Sequence, residues 1–134
     1  MRRTTRSFYA LCIASDLAVQ RGLLEAASRR IDLRIESRLD DALVRRNWAS
    51  AIPPVRAFLL ELPDTKLATL ALLATLRQSN PGVPVLVTTC YDADFQLAAD
   101  RLATLADRVV FRPFEADSLI SSLLDLCQEK TGVS

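Results

Sequence analysis

Val109-Val110-Phe111-Arg112-Pro113-Phe114 decides how this chain is read: a strand-like apolar run ends in a basic residue followed by Pro-Phe. Arg112 stands 23 residues after Thr89, which closes a second such run, Val85-Leu86-Val87-Thr88-Thr89. Two buried-strand runs separated by a helix-length interval point to a parallel β-α-β unit. The polar residues that close the runs then gather on one sheet edge.

Working outward, the same alternation covers the chain. Phe8 to Ala14 reads as a buried strand ended by Ser15-Asp16. A helix is expected over Leu17 to Arg30, from the helical spacing of Leu17, Leu24 and Ala27, with Asp16 placed to cap it. Ile31 to Ile35 alternates apolar and polar as an edge strand does. Arg38 to Trp48 is predicted helical, and Pro53-Pro54 stops whatever follows it. Val55 to Leu60 is the next strand, ending at Glu61. Thr65 to Arg77 follows as a leucine-rich helix (Leu67, Leu70, Leu73, Leu76), closed by the turn signal Ser79-Asn80-Pro81-Gly82. Pro84 to Thr89 is a strand. Asp92 to Ala106 is a helix with Phe95, Ala99, Leu102 and Leu105 on one face. Val109 to Phe111 and Glu115 to Gln128 form the last strand and helix, the latter with Leu119, Leu123 and Cys127 inward.

Five β-α units in succession predict an α/β, doubly wound parallel sheet with helices on both faces. The 134 residues read as a single domain, with a core at about 8–128 and tails at 1–6 and 129–134. In such folds the site lies at the carboxyl ends of the strands.

Composition removes most enzyme classes. Histidine is absent, which excludes Ser-His and Cys-His nucleophilic catalysis. Three glycines, with neither GxGxxG nor GxxxxGK, exclude the usual nucleotide loops. Three isolated cysteines, without CxxC spacing, argue against a disulfide framework and against zinc. Cys12 and Cys127 read as small buried hydrophobes of a reducing cytoplasm. The net charge of +1, with signs interleaved, predicts no nucleic-acid partner, and no apolar run is long enough for a membrane span.

The expected strand ends carry Ser15-Asp16, Glu61, Thr89 and Arg112. Asp16 and Glu61 can share a hard cation, Arg112 can balance the two carboxylates, and Thr89 can donate to a phosphoryl or carboxylate oxygen. Polar residues also follow buried strands simply as loops and helix caps, so the ordered set carries the reading rather than any member.

In that order and spacing the chain resembles the receiver domain of bacterial two-component response regulators, over about residues 8 to 128. Receivers carry paired acids after the first strand, a phospho-accepting Asp after the third, Ser/Thr after the fourth and Lys-Pro-Phe after the fifth. The matching positions are Ser15-Asp16, Glu61, Thr89 and Arg112-Pro113-Phe114. Their separations of 45, 28 and 23 residues from Asp16 to Glu61 to Thr89 to Arg112 are in keeping with the family. The run Pro81-Gly82-Val83-Pro84-Val85-Leu86-Val87 and Arg21 in the first helix are similar too. The resemblance implies a flavodoxin/CheY-like sheet of order 2-1-3-4-5 and a cis Arg112-Pro113 peptide.

The departures bear on chemistry. Ser15 replaces one acid of the pair, so magnesium loses a ligand. Glu61 stands where the family has its phosphorylated Asp and reaches one methylene further. Arg112 in place of Lys forks onto a carboxylate, making an Arg112–Glu61 latch an expectation. Pro63 comes two residues after Glu61, where the family has its proline four after the acceptor. The position three before the basic residue, often an aromatic switch in receivers, is Val109.

The resemblance, with these departures, implies a non-enzymatic pseudo-receiver without normal Asp phosphorylation, with no cofactor. It would act in the cytoplasm through a protein partner, a signalling protein or histidine kinase, or as a homodimer. The partner face would be the last strand and helix with the fourth helix; the leucine-rich third helix, where Leu72 lies off the stripe, is a second candidate. Two alternatives stay open: a phosphorylatable receiver holding magnesium through Asp16, Glu61 and Asp64, with Glu61 or Asp64 as acceptor, and a receiver-like regulatory domain of a larger enzyme.

Overall fold

The computed structural model describes residues 9–28, 30–43 and 47–131. Strands β1 (Tyr9–Ile13), β2 (Asp32–Glu36), β3 (Ala57–Glu61), β4 (Val85–Thr89) and β5 (Arg108–Phe111) form one sheet in the order β2-β1-β3-β4-β5. All four pairings are parallel. Helices α1 (Leu17–Ala27), α2 (Leu39–Ala42), α3 (Leu67–Ser79), α4 (Ala93–Leu105) and α5 (Ala116–Thr131) connect or follow the strands. The expected doubly wound architecture and strand order are present. Among the described residues, no helix is long and apolar enough to cross a membrane.

The central strands β1, β3 and β4 are buried on both faces, which is why they read as unbroken apolar runs. Leu11, Phe58, Leu60, Val85 and Val87 point to the layer of α3 and α4, where Leu70, Leu73, Leu76 and Leu102 meet them. Cys12, Leu59 and Leu86 point to the opposite layer, against Leu23 of α1 and Leu119, Ile120 and Leu123 of α5. The edge strand β2 is only partly covered, as its alternation implied.

Local chemistry sets the helix starts. Asp16 caps α1, its Oδ1 accepting from the amides of Ala18 and Val19 at 2.8 and 3.2 Å. Asp92 caps α4 by accepting from the Phe95 amide at 2.9 Å. Asp64 Oδ1 accepts from the Lys66 amide at 2.9 Å and from the Thr69 hydroxyl at 2.7 Å, organising the approach to α3. Gly82, with φ of 88°, makes the turn into β4 that a side chain would resist.

Four expectations need correction. The helix expected over Arg38 to Trp48 is the short α2; residues 44–46 lie outside the described residues, and Trp48–Ser50 form a 3-10 turn. The reason is Asn80, whose Oδ1 accepts from the amides of Trp48 and Ala49 at 2.8 and 3.2 Å. The Trp48 indole meanwhile donates to the Ala42 carbonyl at 2.9 Å, so the segment folds onto α3. On α1 the apolar set divides: Leu17 and Leu24 are exposed, and Ala27 is buried together with Leu23. Leu67 is exposed at the start of α3. The polar tail expected from residue 129 is helical to Thr131. Phe8, residues 1–6 and residues 132–134 lie outside the described residues.

Candidate functional site

Glu61, Thr88 and Val110 stand in one row across β3, β4 and β5. Arg112 follows two residues later, its amide donating to the Thr89 carbonyl at 3.0 Å. From there its side chain reaches over the end of β4. Nη1 donates to Glu61 Oε2 at 3.4 Å and Nη2 to the Leu62 carbonyl at 3.2 Å. The Glu61 side chain is 8% exposed and that of Arg112 30%. In the same row Thr88 Oγ1 is buried and, among the described residues, has no hydrogen-bond partner; the same holds for Arg112 Nε.

The electrostatics follow from that geometry. Burial pushes the Glu61 carboxyl above its ordinary value, Arg112 opposes the rise, and the neighbouring Asp16 adds to it. Burial wins because the ion pair is one long contact rather than a bidentate fork. Cys12, behind the site, is raised to about 12 by burial and then by Glu61. Asp64 moves the other way, held below the ordinary carboxylate value by the Thr69 hydroxyl and the Lys66 amide.

The residues singled out from the sequence thus divide. Glu61 and Arg112 meet, with Asp16 close enough to be felt. Asp16 is engaged as a helix cap, and Asp64 is turned to its own helix. Thr89 is buried at the end of β4, and Val109 is partly buried against the α3–α4 core. Arg112-Pro113 is cis, as is Ile52-Pro53. Ser15 lines a cleft of about 280 Å³ between the ends of β1 and β3 and the start of α2, with Glu61, Pro63, Arg38 and Leu72.

A divalent cation in the manner of receivers does not fit these residues. Among the described residues, no three Asp, Glu, Cys or His side chains converge as a metal requires. Ser15 supplies no carboxylate, Oδ1 of Asp16 is taken by two amides, and Glu61 already faces a guanidinium.

One feature escaped the sequence reading. Tyr91, Phe95 and Phe111 form an aromatic cluster beside the site, with centroids 4.9 to 5.5 Å apart. Tyr91 and Phe111 remain exposed. The four-residue spacing of Tyr91 and Phe95 was the available signal, but Tyr91 precedes the helix and Phe111 joins only through the β4–β5 pairing.

No family model matches the sequence, and no curated protein matches it either. Solved structures do. A CheY-like response regulator receiver domain protein from Methanospirillum hungatei superposes with a TM-score of 0.77 at 14% identity, over 96% of this chain and all of that one (100%). The fold is that of CheY-like receivers. The signal receiver domain of an HD domain-containing protein from Pseudomonas fluorescens gives 0.73 at 21% identity, over 95% of this chain and 99% of that one. An adenylate cyclase from Rhodopirellula baltica gives 0.76 at 14% identity, over 96% and 93%. At these identities the likeness is one of fold.

Proposed function

We propose that this chain is a pseudo-receiver: a signalling module of two-component type that works through protein contact, without a phosphorylated side chain at position 61. The observation that carries the reading is the Glu61–Arg112 pair at the place where receivers hold their phospho-accepting Asp. Glutamate puts a carboxylate further out than aspartate does, and Arg112 engages it there. Loss of the second acid at Ser15 and use of Asp16 as a cap remove the means of orienting a phosphodonor.

The module is not an enzyme on this reading, and it acts in the cytoplasm on a protein partner. The partner face comprises α4, β5 and α5; at its edge the exposed Tyr91, of a residue type enriched at binding hot spots, packs on the exposed Phe111.

Incubation with acetyl phosphate and magnesium, read by intact mass, tests this. No phosphoryl adduct is expected. A stoichiometric adduct that disappears in Glu61→Gln or Asp64→Asn would overturn the reading.

A further inference from the structure

The groove between the start of α3 and the outer side of α4 presents the two most prominent leucines of that layer, Leu97 at 89% exposure and Leu67 at 70%. Charges flank them: Asp94 and Arg101 on α4, and Lys66 at the end of the loop before α3. Among the described residues, neither Asp94 nor Arg101 has an ion-pair partner within the chain.

The order along α4 carries an internal symmetry. Asp94 and Arg101 are seven residues apart, about two helical turns, and so share one face. Leu97 and Ala98 lie midway between them. A two-fold axis through the midpoint of that pair, perpendicular to the helix, sets Asp94 of one copy against Arg101 of the other, twice. It also sets each Leu97 over the opposing Ala98, a large side chain against a small one, which lets antiparallel helices approach closely. A patch complementary to its own rotated copy is what an isologous dimer requires.

We propose that this stripe is a homodimer interface, α4 pairing antiparallel with α4 of a second copy and Leu67 of each chain closing the groove beside it. The surface lies on the α3 side of α4, away from Tyr91 and Phe111, so a dimer leaves the aromatic face open. The proposal does not depend on what occurs at Glu61.

Sedimentation velocity from micromolar to millimolar chain concentration tests it. The wild-type chain is expected to dimerise, and Leu97→Glu to raise the dissociation constant more than about tenfold. Asp94→Arg and Arg101→Glu are each expected to weaken the dimer, because each places like charges across the axis. Together they reverse both pairs, and the double variant is expected to associate more tightly than either single one. Circular dichroism verifies that every variant is folded. A wild-type chain that stays monomeric throughout, a dimer indifferent to Leu97→Glu, or a double reversal no tighter than its singles overturns the proposal.

Discussion

Arg112 reaches from the end of β5 over β4 to Glu61 at the end of β3, so one guanidinium joins two strands that do not touch. Removing it strands a nearly buried carboxylate. Arg112→Met is expected to cost about 2 kcal/mol, less than a fully buried pair because Arg112 is itself partly exposed. Adding Glu61→Gln should recover more than half of that loss, since the charge that needed a partner is gone. Urea denaturation of the three variants checks the coupling; additive losses would show that the pair contributes nothing of its own.

The raised Glu61 carboxyl gives a pH signature of known sign. Its folded value lies above the ordinary 4.5, so the native state holds this proton more tightly than the unfolded chain does. Stability from this group is therefore greatest below 4.5 and declines as pH rises through the folded value. Glutamine does not titrate. Relative to the wild type, Glu61→Gln should gain stability between about pH 4 and pH 7, measured by urea denaturation at both ends. A difference that shrinks with rising pH would contradict the burial argument.

Asn80 is the tie that holds the segment after α2. Asn80→Ala leaves the amides of Trp48 and Ala49 without their acceptor and the Leu76 carbonyl without its side-chain donor. A loss of about 2 kcal/mol is expected for such buried groups. Trp48 is the only tryptophan, and it is buried, so its fluorescence reports the unfolding midpoint directly.

Thiol chemistry should separate the cysteines cleanly. Cys90 is exposed, whereas burial lifts Cys12 to about 12 and Cys127 to about 11. Near pH 8 a thiol reagent is expected to modify Cys90 in the native protein and the other two only on unfolding. Peptide mapping after labelling identifies the sites; native labelling of Cys12 would mean that β1 opens to solvent.

The strands were legible because a parallel sheet covered on both faces demands continuous apolar runs, and Leu11, Phe58 and Val87 supply them. The orientation of α1 was not. Its leucines fall on two faces: Leu17 and Leu24 lie among Gln20, Arg21 and Glu25, whereas Leu23 and Ala27 turn into the core shared with α5, where a methyl group added at Gly22 would lie 4.0 Å from the Ala116 Cβ. The turn at Trp48 was hidden for a different reason: its hydrogen-bond acceptor lies 32 residues away on Asn80. At the site, the meeting of Glu61 and Arg112 was legible from their places at strand ends and their opposite charges, although β4 lies between their strands. The commitment of Asp16 and Asp64 to neighbouring amides depends on side-chain rotamers that no spacing rule expresses.

The Arg112 span also has a mechanical meaning. Strands β3 and β5 are separated by β4, and main-chain bonds tether the start of each following loop to it, from the Leu62 amide to the Thr88 carbonyl at 2.9 Å and from the Arg112 amide to the Thr89 carbonyl at 3.0 Å. The guanidinium acts as a strut laid across the gap, gripping a side chain and a backbone carbonyl at its far end. The three strand ends are thereby cross-braced, by backbone along β4 and by a side chain laid over it.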